Sequence, residues 1–304
     1  MTDKNVRALI HDDNVAIVKK SRKSIYGRII YYVFGAVLSL TFLFPIFYMI
    51  AASTKSEEVI AQHAGTIMMF IPDFGNMGHF LDNYGEVFTK YNILRHALNS
   101  LLYALIAIVL NIIINGLAAY AICKLHFPGK RFFNFIILFL IIVPVETSII
   151  PLLTICKHIL HLQNHFSVLA IVLPPAISIF NIFLFIQFFS SIPKAYEEAA
   201  RMDGANTFQI FLKVILPLSK PILATVAVFV FIGVWNDYLW PTMVLTDESL
   251  YPIQAELETI GMDPDITPGQ TMASLVTTSI PIFIVYIAAQ KYIVKGFGAG
   301  GLKI

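Results

Sequence analysis

The sequence predicts an all-α polytopic membrane protein with six transmembrane helices. Three observations carry that prediction. The chain has 304 residues, of which 57% are hydrophobic and only 13% charged, where a soluble domain carries roughly 25% charged residues. Six apolar runs approach or exceed the roughly 20 residues that a helix needs to cross the hydrocarbon. Lipid offers backbone groups no partners, and no alternating barrel-strand pattern competes, so each run reads as a helix.

The runs cover residues 29–52, 97–122, 132–153, 168–189, 222–245 and 272–293. The polar leader before the first is too long for a signal peptide, and the run after it exceeds a normal h-region. With the N-terminus inside, 17 of the 21 Lys and Arg residues fall on cytoplasmic segments, and only Lys55, Lys90, Arg95 and Lys157 fall outside. That asymmetry predicts that both termini are cytoplasmic. Residues 1–28 are then a cytoplasmic tail, 29–294 the six-helix domain, and 295–304 a second cytoplasmic tail. Between the first two runs, "HFLDNYGEVF" reads as a docked surface helix. Segment 246–271 has no Lys or Arg and carries Asp247, Glu248, Glu256, Glu258, Asp263 and Asp265, as suits an outer loop. Pro45, Pro144, Pro151, Pro174, Pro175, Pro241 and Pro281 lie in the runs and supply kinks or weak points for motion.

Composition also excludes function classes. A net charge of +2 gives no basis for nucleic-acid binding. Cys123 and Cys156 form no CxxC pair, so they read as small packing residues. "CKHILHLQNHF" sets Cys156, His158, His161 and His165 on one short outer loop; the spacing is conceivable for zinc, but no metal site is assigned. "GFGAGG" holds a literal GxGxxG at Gly296, Gly298 and Gly301. It lacks the preceding strand and following helix of a dinucleotide site, so it is read as a tail.

Polar residues inside spans are costly and so informative. Glu146 lies between Pro144 and Pro151, and Trp235, Asn236, Asp237 and Tyr238 stand together in "WNDYLWP". Asn111, Asn115 and Asn181 are also within runs. Two readings stand for these residues. They line a translocation path, with amides and aromatics suited to sugar faces, or they make interhelical hydrogen bonds. For any single asparagine the second is favoured. The candidate path set is Glu146, Asn181, Trp235, Asn236, Asp237 and Tyr238, with Glu146 and Asp237 able to pair.

The polar connection between runs four and five, residues 191–221, reads as helix–turn–helix. Ser191 and Pro193 mark a start, and Glu197 and Glu198 sit near the positive dipole end. Gly204 suits a left-handed stop, Asn206 or Thr207 can cap a second helix, and Pro217 and Pro221 end it. Met202, Ala205, Phe208 and Leu212 recur at helical spacing and give an apolar stripe. A headgroup-bound loop would be basic on its polar face. Two leading glutamates fit a docking surface for a cytoplasmic protein better.

"EEAARMDGANTFQIFLKVILPLSKP" resembles the EAA loop of importer-type ABC transporter permeases. That pattern is Glu-Ala-Ala, three residues, Gly, nine residues, then Ile-x-Leu-Pro. Glu198, Ala199, Ala200, Gly204, Leu216 and Pro217 match, and Val214 stands for the isoleucine. "WNDYLWP", "STKSEEVI" and "KGFGAGGLKI" are similar to stretches of the carbohydrate branch, specifically the smaller permease of a maltose-type pair.

The resemblance implies an importer-type permease fold in a bacterial plasma membrane. It implies a second permease subunit forming a heterodimer, a dimer of ATPase subunits holding ATP and magnesium, and an extracytoplasmic sugar-binding protein. The ATPase-coupling set is Glu198, Ala199, Ala200, Asp203, Gly204 and Pro217. Glu198 would pair with a basic residue in the ATPase cleft, the alanines would allow close approach, and Gly204 would turn the corner. This chain would bind no cofactor and hydrolyse nothing. The alternatives are a secondary transporter without an ATPase, a permease for a non-sugar solute such as a polyol phosphate, and a membrane enzyme, for which no convergent constellation is apparent.

Overall fold

The computed structural model describes residues 25–162 and 166–301, with backbone only at 25 and 292–301. The leader up to residue 24, His165 and the last three residues of the tail lie outside the described residues. Among the described residues all regular structure is helical.

The chain divides into two compact units, 1–47 and 48–304. The first is described from residue 25 onward and holds most of α1 (Ile25–Ala52). The Ser39 and Thr41 hydroxyls donate to the Gly35 and Val37 carbonyls, so the helix satisfies its own polar side chains.

The second unit takes in the end of α1 and continues with α2 (Glu57–His63) and α3 (Met77–Thr89), the latter being the helix expected from "HFLDNYGEVF". A 32-residue helix follows, α4 (Ile93–Lys124). At 1.5 Å per residue it is about 48 Å long, more than the roughly 30 Å of a hydrocarbon core. Its polar first and last turns extend it beyond the apolar run 97–122 at both ends.

The next three runs are broken, not continuous. α5 (Lys130–Leu140) bends by 100° into a 3-10 turn at Val145–Ser148, α6 (Ile149–Thr154) and a π turn at Ile155–Ile159. α7 (Ser167–Ala176) ends after Pro174 and Pro175 and meets α8 (Ile179–Ser191) at 41°. Run 222–245 splits into α11 (Lys220–Trp235) and α12 (Leu239–Val244). Between α8 and α11 lie α9 (Ala195–Met202) and α10 (Thr207–Ile210). α13 (Ile253–Met262) and α14 (Pro268–Gly301) complete the chain. The glycines of "GFGAGG" therefore lie on helical backbone up to Gly301.

Among the described residues three helices are long and apolar enough to cross a membrane unbroken, or up to six spans if each bent pair is one, the third pair being Thr207–Leu218 with α11. α4 is the spine of the second unit. Its buried Ala104, Ala107, Gly116 and Ala119 leave little side chain between backbones, which suits the close helix packing favoured in membranes. α11 packs against α14 through Trp235, whose Nε1 donates to the Thr278 carbonyl at 3.2 Å.

The break between α7 and α8 is braced by amides. Asn111 donates to the Pro175 carbonyl at 2.9 Å, and Asn115 to the Ala176 carbonyl at 3.0 Å. Asn115 Oδ1 accepts from the Ser178 N–H at 3.1 Å, and Asn181 donates to Asn111 Oδ1 at 3.0 Å. A broken helix frees backbone groups that lipid cannot satisfy, and these side chains take them up.

Candidate functional site

The connection between α8 and α11 is a compact helical hairpin. α9 ends at Gly204, whose φ of +81° is left-handed. The Gly204 N–H donates to the Arg201 carbonyl at 3.0 Å, and the Ala205 N–H to the Ala200 carbonyl at 2.9 Å. That pair of bonds is a Schellman cap, and only glycine takes the turn without steric cost. One residue later the next helix is capped. Asn206 Oδ1 accepts from the Gln209 N–H at 2.9 Å, and Gln209 Oε1 accepts from the Asn206 N–H at 2.9 Å. This reciprocal capping box pins the start of α10. With a terminator and an initiator so close, the corner between α9 and α10 has little room to flex.

α10 runs into a π turn at Phe211–Ile215 and a last turn at Leu216–Leu218, which holds Pro217. The chain then bends by 83° into α11. Pro221 lies in the first turn of α11, where its missing N–H costs nothing, so it begins the next helix and does not end the hairpin.

The hairpin has two faces. Ile210, Phe211 and Ile215 are buried. Met202 is 88% exposed, Phe208 57% and Leu212 45%, so of the apolar stripe only Ala205, half-buried against the core, finds cover within the described residues. Glu198, Ala199, Asp203, Gly204 and Pro217 are exposed and Ala200 is half-buried. Glu197 differs from its neighbour. It is buried, and its Oε1 stands 2.8 Å from Lys124 Nζ at the end of α4. Lys124 also donates to the Ile192 carbonyl at 2.9 Å. Sequence reasoning placed both glutamates at the helix dipole and missed this pair. The available signal was the single lysine just past the longest apolar run, 97–122.

The residues considered for a translocation path separate by environment. Glu146 is exposed on the 3-10 turn in the 100° break. Asn236 and Tyr238 are exposed at the break after α11. Asp237 is half-buried, and its Oδ1 accepts from the Trp240 N–H at 3.2 Å. Among the described residues no ion pair joins Glu146 to Asp237. Asn181 belongs to the buried brace, and Trp235 is buried with its ring 5.3 Å from that of Phe231. Cys156 is buried, and among the described residues no group of His, Cys, Asp and Glu is placed to hold a metal ion.

At the opposite end of α4, the acidic segment 246–271 is clamped down. Tyr103 Oη donates to the Leu250 carbonyl at 2.9 Å and Asn99 to the Ser249 and Tyr251 carbonyls. His96 Nδ1 meets the Tyr251 carbonyl at 2.9 Å, so it carries the proton, and Nε2 lies 3.6 Å from Glu256 Oε2. Burial pushes the Glu256 carboxyl above its ordinary range. Lys90 Nζ and Tyr91 Oη both donate to Asp263 Oδ2, at 2.9 and 2.8 Å. With the Asp265 N–H on Oδ1, they lower Asp263 from 3.8 to about 2.

A family model described as binding-protein-dependent transport system inner membrane component matches residues 112–298. The chain is 31% identical to the polygalacturonan/rhamnogalacturonan transport system permease protein YtcP of Bacillus subtilis, over 90% of this chain and 96% of that one. It is 32% identical to the sn-glycerol-3-phosphate transport system permease protein UgpE of Pectobacterium atrosepticum, over 84% and 91%. It is 29% identical to the arabinooligosaccharides transport system permease protein AraQ of Halalkalibacterium halodurans, over 88% and 94%. A crystal structure of a bacterial ABC transporter involved in the import of the acidic polysaccharide alginate contains a chain of the same fold. The TM-score is 0.76 and the identity 29%, covering 90% of this chain and 98% of that one.

Proposed function

The chain belongs to the family of binding-protein-dependent transport system inner membrane components, and on that premise we propose that it is one of two different permease subunits of an ATP-driven carbohydrate importer in a bacterial plasma membrane. As a member of that family it is a transport component, not an enzyme. The proposed topology has six spans with both termini in the cytoplasm. Three unbroken helices, two bent pairs (α5 with α6, α7 with α8) and the apolar α11 support the count, and the basic residues support the orientation.

The observation that carries the proposal is the rigid, exposed hairpin at residues 195–218. A corner fixed by a Schellman cap and a capping box transmits a push without bending. Its exposed Glu198, Ala199, Asp203 and Met202 offer one acidic, small and apolar surface to a partner. In this reading Glu198 pairs with a basic residue on an ATPase subunit, which holds the ATP and magnesium. Nucleotide-driven closure then moves the hairpin and the spans behind it as a body. An extracytoplasmic binding protein delivers the solute at the face carrying segment 246–271. Glu146, Asn236 and Tyr238 are the path residues best supported, because their side chains are exposed at breaks; Asn181 and Trp235 are occupied in packing.

The relatives named for arabinooligosaccharides and for polygalacturonan/rhamnogalacturonan support a carbohydrate as solute. The relative named for sn-glycerol-3-phosphate supports a polyol phosphate as the second reading. Co-expression with ATPase and binding-protein subunits of the same organism tests both, a labelled oligosaccharide being compared with labelled sn-glycerol-3-phosphate. The wild-type chain should capture the ATPase subunit and drive uptake of a labelled oligosaccharide. Glu198→Lys should leave the chain folded and abolish uptake. Uptake unchanged by Glu198→Lys, or uptake without any ATPase, overturns the proposal.

A further inference from the structure

The hairpin is fastened to α4, not only to the helices that flank it in sequence. Three residues of α4 spaced one turn apart, Gly116, Tyr120 and Lys124, share the face that receives it. A Cβ on Gly116 would stand 3.4 Å from Phe211 Cζ, so the glycine is the seat of that ring. The Tyr120 and Phe211 rings lie 5.3 Å apart at 41°. At the end of the row, the side chains of Lys124 and Glu197 are 6% and 9% exposed. A lysine at a helix end next to a membrane surface ordinarily reaches into water. Lys124 turns instead onto Glu197 and the Ile192 carbonyl.

A buried ion pair is weak evidence for stability, because the desolvation of two charges offsets their attraction. What it supplies is a fixed relation between the two elements that carry the charges. Here the elements are α9, which presents Glu198 to the partner, and α4, whose far end holds the 249–251 carbonyls through Asn99, Tyr103 and His96. α4 is unbroken between these two ends.

We infer that Lys124 and Glu197 form a latch that makes α9 and α4 move together, so that α4 carries the displacement of the coupling hairpin to segment 246–271. Lys124 and Glu197 are positioning residues in this scheme and touch neither solute nor nucleotide. The inference rests on the reading of the chain as an ATPase-coupled importer permease.

The test uses the full complex of both permeases, ATPase and binding protein in proteoliposomes. Four variants of this chain are compared: Lys124→Met, Glu197→Gln, the two together, and the charge reversal Lys124→Glu with Glu197→Lys. Three readouts are taken: retention of the ATPase subunit, ATP hydrolysis stimulated by the loaded binding protein, and solute transported per ATP. Each single variant should keep the ATPase subunit but lower solute transported per ATP about ten-fold, and the charge reversal should recover part of it, the Ile192 carbonyl being left without its donor. The double neutral variant leaves no unpaired charge, so it should fold even where a single one does not, and it too should lose coupling.

Wild-type coupling in the double neutral variant overturns the latch, as does loss of the ATPase subunit from the folded single variants, which would make the pair a docking element. If the wild-type chain itself retains no ATPase, the proposed function fails. If it does and the variants couple normally, only the latch fails.

Discussion

Gly204 separates what the hairpin needs for its own shape from what a partner needs of it. Its φ of +81° is closed to most side chains, yet a Cβ built there meets nothing within 4 Å. For alanine the cost within this chain is therefore that of the backbone conformation, not of a contact with a neighbour. For an L-residue other than asparagine that cost is about 1–2 kcal/mol, which lowers the ratio of turned to unturned chain by about 5–30-fold. The turn has reserves against it, in the two Schellman bonds and the capping box of Asn206 and Gln209, each worth about 1 kcal/mol. Gly204→Ala should therefore leave the hairpin formed, and Gly204→Asn should be milder still, because asparagine tolerates the left-handed region. Gly204→Trp carries a backbone strain similar to that of alanine and adds bulk at an exposed corner.

The assay pairs thermal unfolding of the purified chain with uptake by the assembled transporter. All three variants should unfold within a few degrees of one another. Uptake should stay within about three-fold of wild type for Asn and Ala, because the caps outweigh the strain and keep most of the chain turned, and fall to background for Trp. Normal uptake by Gly204→Trp would refute the reasoning, since nothing would then pack against this corner. Equal loss in all three would refute it differently, by showing that strain and not bulk decides.

Other predictions follow from the same geometry. Asn115→Ala removes three hydrogen bonds, to the Asn111 and Ala176 carbonyls and from the Ser178 N–H, at about 0.6 kcal/mol each in a bilayer, and strands the Ser178 N–H and Ala176 carbonyl, so a loss of about 2–4 kcal/mol is expected; a lower unfolding midpoint with faster amide exchange at Ser178 would show it. At Gly269 a Cβ would stand 2.6 Å from the Lys55 carbonyl and 2.5 Å from Asn83 Nδ2. Gly269→Ala must displace Asn83 from the Ser53 and Lys55 carbonyls, at about 1–3 kcal/mol, again read as an unfolding midpoint. Asp263 titrates lower in the folded chain, at about 2 against 3.8. Its contribution is thus present above about pH 4 and lost as the pH falls toward 2. The difference in unfolding midpoint between wild type and Asp263→Asn should be full at pH 5 and close toward pH 2, judged against those two values.

The existence of the helices was legible because a run of about 20 apolar residues has few other fates. Their ends were less so. α4 extends into Leu94, Arg95 and His96 at one end and Lys124 at the other, since hydropathy reports the lipid-facing length and not the helix. The prolines marked runs three and four as weak, and both are broken there. The split of run 222–245 came instead at Asn236–Tyr238, ahead of Pro241, with Asp237 accepting the Trp240 N–H of the new helix. The corner at Gly204 was readable because glycine and asparagine act through their own backbone. The asparagine brace was readable only as two alternatives, because whether a buried amide faces a solute or a neighbouring helix depends on where that helix breaks.

Glu197 and Glu198 mark the limit of local reasoning. Sequence treats them alike, as two carboxylates in the first turn of one helix. Successive residues of an α-helix point about 100° apart, so if one faces Lys124 the next cannot. Which one turns inward is fixed by register, and the register of α9 is set downstream. Gly204 must occupy the left-handed cap, and Asn206 must meet the Gln209 N–H. Sliding the helix by one residue to bury Glu198 would carry Gly204 off its cap and put a side chain at a φ that only glycine takes freely. The glycine and the capping box therefore decide, from several residues away, that Glu197 is held by this chain and that Glu198 is left exposed.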